Sequence, residues 1–528
     1  MQVDLDNQGL PGEFRSQFCI VGGGIAGLLL ASRLAKRGGE VHLLEAGGTE
    51  LEDRSQKLYD AMSTGKLHTG IREGRFRTFG GSSTRWGGQL LPYTEDVLHP
   101  PVALGLPEWP LRTDEIAPYY EEVLNVLGAV STPFTDELLQ EFGAQAPFAS
   151  CDVRLRFSKW APFSRRNLAK TLGADCLSDR RITIYFHANA VSIRLSPDGK
   201  AAVAVEAMNY GGEKFVFRAG AFVICSGTIE TSRLLLASTS DCGPGVGNEF
   251  DQVGRYFHDH VGVRAAEFRA EDRERIVRWF APWIKSRTLH TAKLEATQGL
   301  RERLGLLSVM AHFPIEEPEG SGVARLRSLL QKMQRGKLNG QIWTEAAGLP
   351  ADSLDLARIV YGMQVRHRRW VSPRARMALH LDVEQKPDAE SRVRLSDQED
   401  ALRMRKAVVQ WRISREEHQT AREYAGVVDR VLRENGVARP CWNRDVLDSY
   451  EGFVTAATDT YHMMGGTRMG TDPKRSVVGP DLRVHGIDNL HVVSCSVFPT
   501  GGSSNPTFTM MALALRKAEA LTQSSGAA

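Results

Sequence analysis

Apolar positions near the N-terminus predict a strand, a helix and a second strand in close succession. Residues 18–21 form an apolar run of strand length, and residues 25–37 carry an apolar stripe at helical spacing. Gly38-Gly39 ends the helix, and a second apolar run over residues 41–44 is followed directly by Glu45. This pattern is typical of the first β-α-β unit of a parallel, doubly wound sheet.

Two later patterns predict a strand and a helix of the scaffold. Residues 377–384 alternate with period two, with His380, Asp382 and Glu384 on the polar face, which either lines a pocket or meets solvent. Ser414 and Glu417 form a capping box ahead of a predicted helix. The apolar stripe of that helix is Tyr424, Val427, Val428, Val431 and Leu432.

The C-terminal pattern combines a strand, a loop and a helix. Residues 489–494 have the composition of a buried strand, residues 499–504 that of a loop, and helical composition begins at Thr507. Pro506 then takes the first helical position and Asn505 the N-cap, as helix starts favour. Because a helix start also attracts negative charge, Asn505 is either a cap alone or a cap beside a ligand.

The glycines between the first predicted strand and helix indicate a nucleotide site. Gly22, Gly24 and Gly27 follow the G-x-G-x-x-G pattern, which provides a tight turn, close approach to a pyrophosphate and close helix packing. Glu45 is placed to accept hydrogen bonds from a ribose diol. The motif does not separate NAD from FAD, and the alternative is a purely structural glycine turn.

A second glycine-rich loop covers residues 78–98. Its glycines allow close approach to a flat ligand, and Ser82, Ser83 and Thr84 offer donors to a diphosphate. Trp86 either packs on a ring system or fills core. The loop therefore either belongs to the nucleotide site or only crosses beneath the first domain.

One histidine stands in "YHMMGGTRMG", residues 461–470. A neutral imidazole accepts a proton near neutral pH, so His462 is a candidate general base. The alternative is a packed core histidine beside a tight turn. The two glycine motifs elsewhere in the chain favour the catalytic interpretation.

Composition narrows the class of protein. A chain of 528 residues with 24% charged and 42% hydrophobic residues is long enough for two globular domains. A net charge of +3 gives no reason to expect a nucleic-acid partner. The N-terminal residues do not resemble a signal peptide, and the apolar runs do not predict a transmembrane segment. Seven scattered cysteines without CxxC spacing predict reduced thiols, a cytoplasmic location and no metal site.

Together these blocks resemble the glucose–methanol–choline (GMC) oxidoreductases, FAD enzymes that oxidise alcohols. "HMMGGTRMG" (462–470) is similar to the family's H-x-x-G-T-x-R-M-G stretch, and "SNPTFT" (504–509) to its N-P-T/N-x-T. "GGSSTRWGG" (80–88) and "LHLDVEQKPDAESRVRLS" (379–396) match further pieces of the family pattern. Within the family, the resemblance is nearest to the pyranose oxidase-like and bacterial glycoside-oxidising branch.

The resemblance implies roles for individual residues. His462 matches the family's catalytic base, and Asn505 matches its partner beside the flavin. The matching FAD contacts are Gly22, Gly24, Ala26, Gly27, Glu45, Ala46, Gly80, Gly81, Ser82, Ser83, Arg85, Trp86, Gly87, Val191, Ser226, Gly227, Ser496, Pro506 and Thr507.

Two positions depart from the family pattern. Arg85 stands where some sugar oxidases carry a histidine that is bonded to the flavin. A guanidinium cannot form that link, so FAD is expected to be noncovalent. Ser494 stands where the family usually has Asp in V-V-D-A-S, so one contact near the flavin is expected to be weaker or replaced.

The implied fold class is α/β, with two domains. An FAD-binding Rossmann-like domain is expected over residues 13–100, 165–265 and 445–522. An α+β substrate-binding domain with an antiparallel sheet is expected over residues 101–164 and 266–444.

The implied reaction oxidises a CH–OH group of a sugar or glycoside to a carbonyl by hydride transfer to flavin N5. Dioxygen, a quinone or another acceptor would then take the electrons. Three alternatives stay open: a non-sugar alcohol as donor, a non-redox lyase on the same fold, and an NAD-dependent dehydrogenase or non-catalytic nucleotide-binding module.

Two basic stretches, residues 324–337 and 365–376, lie where the resemblance is weak. Each is either a solvated helix face or a docking surface for an acidic partner, an anionic glycoside or a membrane headgroup.

Overall fold

The computed structural model describes residues 1–239, 243–334 and 353–525. Its strands are β1 (Gln2–Asp4), β2 (Glu13–Val21), β3 (Val41–Leu44), β4 (Met62–Gly65), β5 (Gln89–Leu90), β6 (Val153–Trp160), β7 (Ile182–Phe186), β8 (Asn189–Leu195), β9 (Ala202–Met208), β10 (Lys214–Ile224), β11 (His260–Glu267), β12 (Trp283–Lys285), β13 (Thr288–Ala296), β14 (Val309–His312), β15 (Ile315–Glu316), β16 (Arg376–Glu384), β17 (Arg392–Glu399), β18 (Arg405–Trp411), β19 (Cys441–Trp442), β20 (Thr458–Asp459) and β21 (Leu490–Val492). Its α-helices are Ile25–Lys36, Asp53–Lys57, Gly70–Glu73, Glu95–Leu98, Ala117–Leu127, Leu172–Ser178, Thr228–Ala237, Arg273–Phe280, Gln298–Leu304, Gly322–Gln334, Ser353–Gln364, Arg415–Glu434, Arg444–Asp448, Tyr450–Ala456 and Pro506–Ser525.

The first sheet has eight strands in the order β1-β7-β3-β2-β10-β9-β8, with β21 also paired to β10. The pairs from β1 through β10, and the pair of β10 with β21, are parallel. Strands β9 and β8 add antiparallel pairs at one side. Parallel strands are covered on both faces, which explains why residues 18–21 are uniformly apolar.

The first and last long helices pack against each other on this sheet. Leu28 and Leu34 of the helix Ile25–Lys36 share one buried core with Met511 and Leu515 of the helix Pro506–Ser525. This packing joins the N-terminal glycine motif and the C-terminal motif in one core. The strand–helix–strand prediction at the N-terminus is confirmed.

The second sheet has ten antiparallel strands, in the order β19-β11-β16-β14-β13-β6-β5, with β12, β15 and β20 paired at its sides. Its apolar face, including Leu379 and Leu381, packs on Tyr424 and Val428 of the helix Arg415–Glu434. The predicted capping box of Ser414 precedes that helix. A separate three-stranded sheet contains β17, β18 and β4. A Rossmann-like α/β half beside an α+β half with an antiparallel sheet confirms the predicted fold class.

On the polar face of β16, Glu384 neither meets solvent nor lines the main cavity, whereas His380 and Asp382 are partly exposed. Glu384 is only 2% exposed. Its carboxylate accepts hydrogen bonds from the backbone N–H of Gly502 at 2.8 Å and of Ser308 at 3.1 Å. The alternation predicted for residues 377–384 is therefore confirmed, and its polar side holds a loop in place.

Two sheet pairings bear on the predicted domain boundaries. Strand β1 precedes residue 13 and pairs with β7 in the first sheet. Strand β11, which begins at His260, belongs to the second sheet, so the predicted boundary at residue 265 falls inside a strand. The division into domains stays a prediction.

Basic residues of the stretch 365–376 take part in structural contacts. The Arg368 guanidinium donates to the carbonyls of Val277 and Arg278, and Arg369 pairs with Glu317 at 3.2 Å. Part of the other stretch forms the helix Gly322–Gln334, while residues 335–337 lie outside the described residues.

Two other predictions concern membrane segments and cysteines. Within the described ranges, no helix has the length and apolar character needed to span a bilayer. The six described cysteines are free thiols, and Cys242 lies outside the described residues.

Candidate active site

A cavity of about 670 Å³ brings the separated sequence motifs together. The predicted site residues in its wall are Gly22, Gly24, Ala26, Glu45, Ala46, Gly81, Ser82, Arg85, Trp86, Gly87, Ser226, Gly227, His462, Asn505, Pro506 and Thr507. The cavity thus joins both glycine loops to the C-terminal block, although these segments are far apart in the sequence.

Five predicted cofactor contacts lie behind this wall: Gly27, Gly80, Ser83, Val191 and Ser496. Ser496 is fully buried, and its hydroxyl bonds with Thr467 and Ser494. Ser494 and Cys495 line the cavity in its place, and Ala190 does so where Val191 was expected.

The first glycine motif leaves open space in front of a helix start. Gly22 has φ +107°, a conformation that side chains disfavour. A Cβ added to Gly27 would lie 1.9 Å from the Gly22 carbonyl oxygen, so helix and strand pack too closely for any side chain. A Cβ at Gly24 would meet nothing within 4 Å. The helix N-terminus therefore faces the cavity with room for a pyrophosphate.

Glu45 marks the end of the cavity that fits a ribose. Its carboxylate accepts hydrogen bonds from the backbone N–H of Gly23 at 3.0 Å and of Gly47 at 2.8 Å. Burial raises the pKa of Glu45. Each carboxylate oxygen retains a lone pair for a diol, so the position fits the predicted contact with the FAD ribose.

Arg77 is a residue of this region that sequence reasoning missed. It lines the cavity and is 7% exposed, and one nitrogen donates to Asn189 Oδ1 at 3.0 Å. Within the described residues its Nε and Nη1 have no hydrogen-bond partner. Nη1 lies 3.8 Å from Glu230 Oε2, an ion pair without a hydrogen bond. The donors that make no hydrogen bond suit an anionic or hydroxyl-rich ligand such as FAD. Its place three positions before Gly80-Gly81 is the only signal the sequence offers.

His462 and Asn505 lie together in the cavity wall. Asn505 Nδ2 donates to His462 Nε2 at 2.9 Å. Burial, with a smaller contribution from His260, lowers the pKa of His462 to about 4. The imidazole is therefore neutral near pH 7 and able to accept a proton.

Three further residues around His462 were not predicted. Its Nδ1 lies 2.8 Å from Thr460 Oγ1 and 3.0 Å from His260 Nδ1. Its backbone N–H donates to Asp259 Oδ2 at 2.9 Å. Asp259 and His260 stand two hundred residues upstream, at the start of β11, so no local motif connects them with His462.

Asp259 is a buried carboxylate that gathers five donors. They are His68 Nε2, the backbone N–H groups of His260, Thr460 and His462, and the Thr460 hydroxyl. Burial alone would raise the pKa of Asp259, but its hydrogen bond and charge interaction with His68 dominate and lower it to about 2. Asp259 is therefore ionised and accepts hydrogen bonds only.

The loop that carries Asn505 is held from the second sheet. Glu384 binds Gly502 as described above, and the Ser503 hydroxyl donates to Glu295 Oε1 at 3.2 Å. Arg156 in turn pairs with Glu295 at 3.2 Å. Side chains of β6, β13 and β16 thus fix the approach to the helix start at Asn505.

Arg85 lies in the cavity wall, as predicted. Its guanidinium lies over the ring of Phe76, 4.6 Å from the ring centroid, and donates to Thr84 Oγ1 at 3.4 Å. The nearby indole of Trp86 donates to the Arg166 carbonyl at 2.7 Å. Arg85 therefore places a fixed positive charge beside the cavity.

Among the described residues, ligand-type atoms also cluster at His68, Asp259 and Asp459. The His68 ring lies between the two carboxylates, 3.1 Å from Asp259 and 3.6 Å from Asp459. Asp459 already accepts hydrogen bonds from Thr69 and Gly70. These contacts form a hydrogen-bonded network around His68.

Comparison with known proteins shows two family resemblances. A family model described as GMC oxidoreductase matches residues 387–514, and one described as NAD(P)-binding Rossmann-like domain matches residues 20–49. Over residues 387–514 the chain is therefore similar to the GMC oxidoreductases. This match and the full-length relatives support an FAD-dependent oxidoreductase that acts on CH–OH donors.

Similar proteins span its whole length. The fructose dehydrogenase large subunit of Gluconobacter japonicus is 24% identical over 95% of this chain and 97% of that protein. Paromamine 6'-oxidase of Streptomyces fradiae is 23% identical over 95% and 90%. Formate oxidase of Aspergillus oryzae superposes with a TM-score of 0.61 over 98% of this chain and 100% of that one, at 16% identity, which shows the shared fold.

Proposed function

We propose that this chain is a GMC oxidoreductase that oxidises a CH–OH group of a sugar or glycoside to a carbonyl, with His462 as the base. One observation carries the proposal. His462 and Asn505, 43 positions apart, meet at 2.9 Å in the wall of the cavity that also contains Gly24 and Glu45. Groups suited to proton transfer thus share one cavity with groups suited to FAD.

The proposed chemistry divides the work between two side chains. Bound FAD supplies the acceptor for the hydride that leaves the carbinol carbon. His462 Nε2 takes the hydroxyl proton, because the neutral ring has a lone pair there and the developing alkoxide drives hydride release. Asn505 donates to the same substrate oxygen and fixes its position.

Residues of the wall would hold FAD without a covalent bond. Glu45 would accept from the ribose, and the helix start at Gly24 would face the pyrophosphate. Arg85, in the position of the family's linking histidine, would contribute charge only. Acid precipitation tests this: noncovalent FAD leaves a yellow supernatant, whereas a yellow pellet would contradict the proposal.

Support for a carbohydrate donor comes from the relatives. The names of the two full-length relatives refer to fructose and to paromamine, and a third, C-glycoside 3-oxidase of Arthrobacter globiformis, is 31% identical over 22% of this chain and 21% of that protein. These names include both dehydrogenases and oxidases, so the acceptor is proposed as either dioxygen or a quinone-like compound. Dioxygen consumption against dye reduction, under one donor, separates the two. A cytoplasmic location stays a prediction from cysteine usage.

The deciding experiment is anaerobic reduction of the bound FAD by a panel of donors. Ketoses, aldoses, aminoglycosides and C-glycosides should include at least one that bleaches the flavin absorbance. Bleaching by aryl or other non-sugar alcohols alone would contradict the carbohydrate assignment. A flavin that dithionite reduces but no alcohol does would contradict the redox assignment and favour the lyase alternative.

A further inference from the structure

The Nδ1 atom of His462 has two polar neighbours whose protons can be assigned. Thr460 Oγ1 lies at 2.8 Å and His260 Nδ1 at 3.0 Å. A hydroxyl or a ring nitrogen can donate or accept, so distance alone does not say which atom carries the proton. The second hydrogen-bond partner of each neighbour decides where the proton of that neighbour lies.

The Thr460 hydroxyl donates its proton to Asp259. Its Oγ1 lies 2.9 Å from Asp259 Oδ1, and a carboxylate that gathers five donors only accepts. The single hydroxyl proton therefore points at Asp259. Toward His462 Nδ1, the Thr460 oxygen presents a lone pair.

His260 presents a lone pair as well. Its Nε2 lies 3.2 Å from the Gly501 carbonyl oxygen, which only accepts. The ring proton is therefore on Nε2. In the neutral form of this ring, Nδ1 then carries the lone pair that faces His462.

With acceptors on both sides, the proton of the neutral His462 ring belongs on Nδ1. We propose that Asp259, Thr460 and His260 are positioning residues that hold His462 in the Nδ1–H tautomer. Nε2 then keeps a lone pair, which accepts from Asn505 Nδ2 in this structure and would accept the proton of the substrate hydroxyl. This inference rests on the proposed role of His462. In the opposite tautomer Nε2 would already carry a proton and could not take one from the substrate.

The tautomer itself can be measured without turnover. In protein labelled with ¹⁵N-histidine, the His462 signals are those that disappear in His462→Gln. A protonated Nδ1 and an unprotonated Nε2 are expected in wild-type protein loaded with FAD. The reverse assignment would overturn the proposal, whatever the behaviour of any variant.

The rate effect is tested with Thr460→Val, which removes the hydroxyl and keeps the side-chain volume. Losing one of two acceptors should lower the rate constant of anaerobic flavin reduction about 10-fold, the size of one hydrogen bond. The KM for the donor should change less, and Thr460→Ser should restore the rate. Thr458→Val, an exposed threonine two positions earlier, is the matched control and should match wild type.

The possible results separate this inference from the proposed function. A Thr460→Val protein with normal FAD content, rate and histidine spectrum would overturn the positioning role. If the spectrum is as expected but His462→Ala reduces flavin at the wild-type rate, the base assignment fails while the tautomer arrangement stands. If Thr460→Val does not fold, the wild-type spectrum and Thr460→Ser still decide.

Discussion

The two ends of the cavity are built by opposite means. At the Glu45 end, backbone groups dominate: glycines, a helix start and N–H groups that come mostly from one β-α-β unit. At the His462 end, the side chains of His260 in β11, of Thr460 directly after β20 and of Asn505 surround one imidazole. The Glu45 end depends on glycines, where an added side chain would fill the space for the cofactor. The His462 end depends on side-chain hydrogen bonds, which set the position of the proton on the imidazole.

The largest expected effect concerns the His462 end. His462→Ala should lower the rate constant of flavin reduction by about 10²–10⁴-fold, the usual cost of losing a positioned base. FAD content should stay normal, because the cofactor groups lie elsewhere. Stopped-flow absorbance under anaerobic conditions measures the rate, and His99→Ala, outside the cavity wall, is the control. An unchanged rate would show that His462 is not the base and that the His462 end has no special role in proton transfer.

At the Glu45 end, Gly24→Ala should weaken FAD binding by about 100-fold without unfolding the protein. The added methyl group meets no protein atom, but it fills the space in front of the helix start where the pyrophosphate is expected. Fluorescence titration of the apoprotein gives the Kd. Gly299→Ala, on an exposed helix position, should leave the Kd unchanged. Unchanged FAD affinity in Gly24→Ala would show that the pyrophosphate does not bind in front of Gly24.

The pH dependence should distinguish the ends further. Below the lowered pKa of His462, about 4, the ring is protonated and has no lone pair for the substrate. The flavin-reduction rate should therefore be flat from pH 7 down to about 5, then fall about 10-fold per pH unit below pH 4. Circular dichroism at each pH checks that the protein stays folded. A fall centred near 6.5 would show that burial does not depress this pKa.

The smallest expected effect concerns the support of Asn505. Glu384→Gln replaces one acceptor oxygen by an NH₂ group that faces a backbone N–H, which should shift the loop and lower the reduction rate about 3- to 10-fold. Glu434→Gln, at an exposed helix end, is the control. A normal reduction rate with lowered thermal stability would show that Glu384 stabilises the fold and does not position Asn505 for the reaction.

Sequence reasoning recovered the local features. The glycine turn, the strand ending at Glu45, the capping box at Ser414 and the helix start after Asn505 each lie within a short segment whose periodicity or caps determine its structure. The meeting of His462 with Asn505 could be expected only through the family resemblance, because no periodicity links positions 43 apart.

The rest depended on tertiary contacts. Asp259 and His260 reach His462 by pairing of β11 with β20, and such long-range pairing leaves no mark in a single sequence. Ser496 was expected at the flavin, but the chain turns through a short 3-10 helix there, which directs its hydroxyl into the core. Glu384 followed the predicted alternation, yet its partners in the loop before Asn505 were not predictable from it.

Glu384 also limits how a substrate can enter. It spans from the second sheet to the loop before Asn505, and its two backbone hydrogen bonds are buried. Ser308 lies beside Glu384 in the second sheet, so separating the halves here would break only the bond to Gly502. One carboxylate oxygen and one N–H group would lose their partner, at a cost of about 1–3 kcal/mol for each. Entry by a hinge opening between the two sheets is therefore disfavoured, and the route in should depend on rotation of side chains at the cavity mouth.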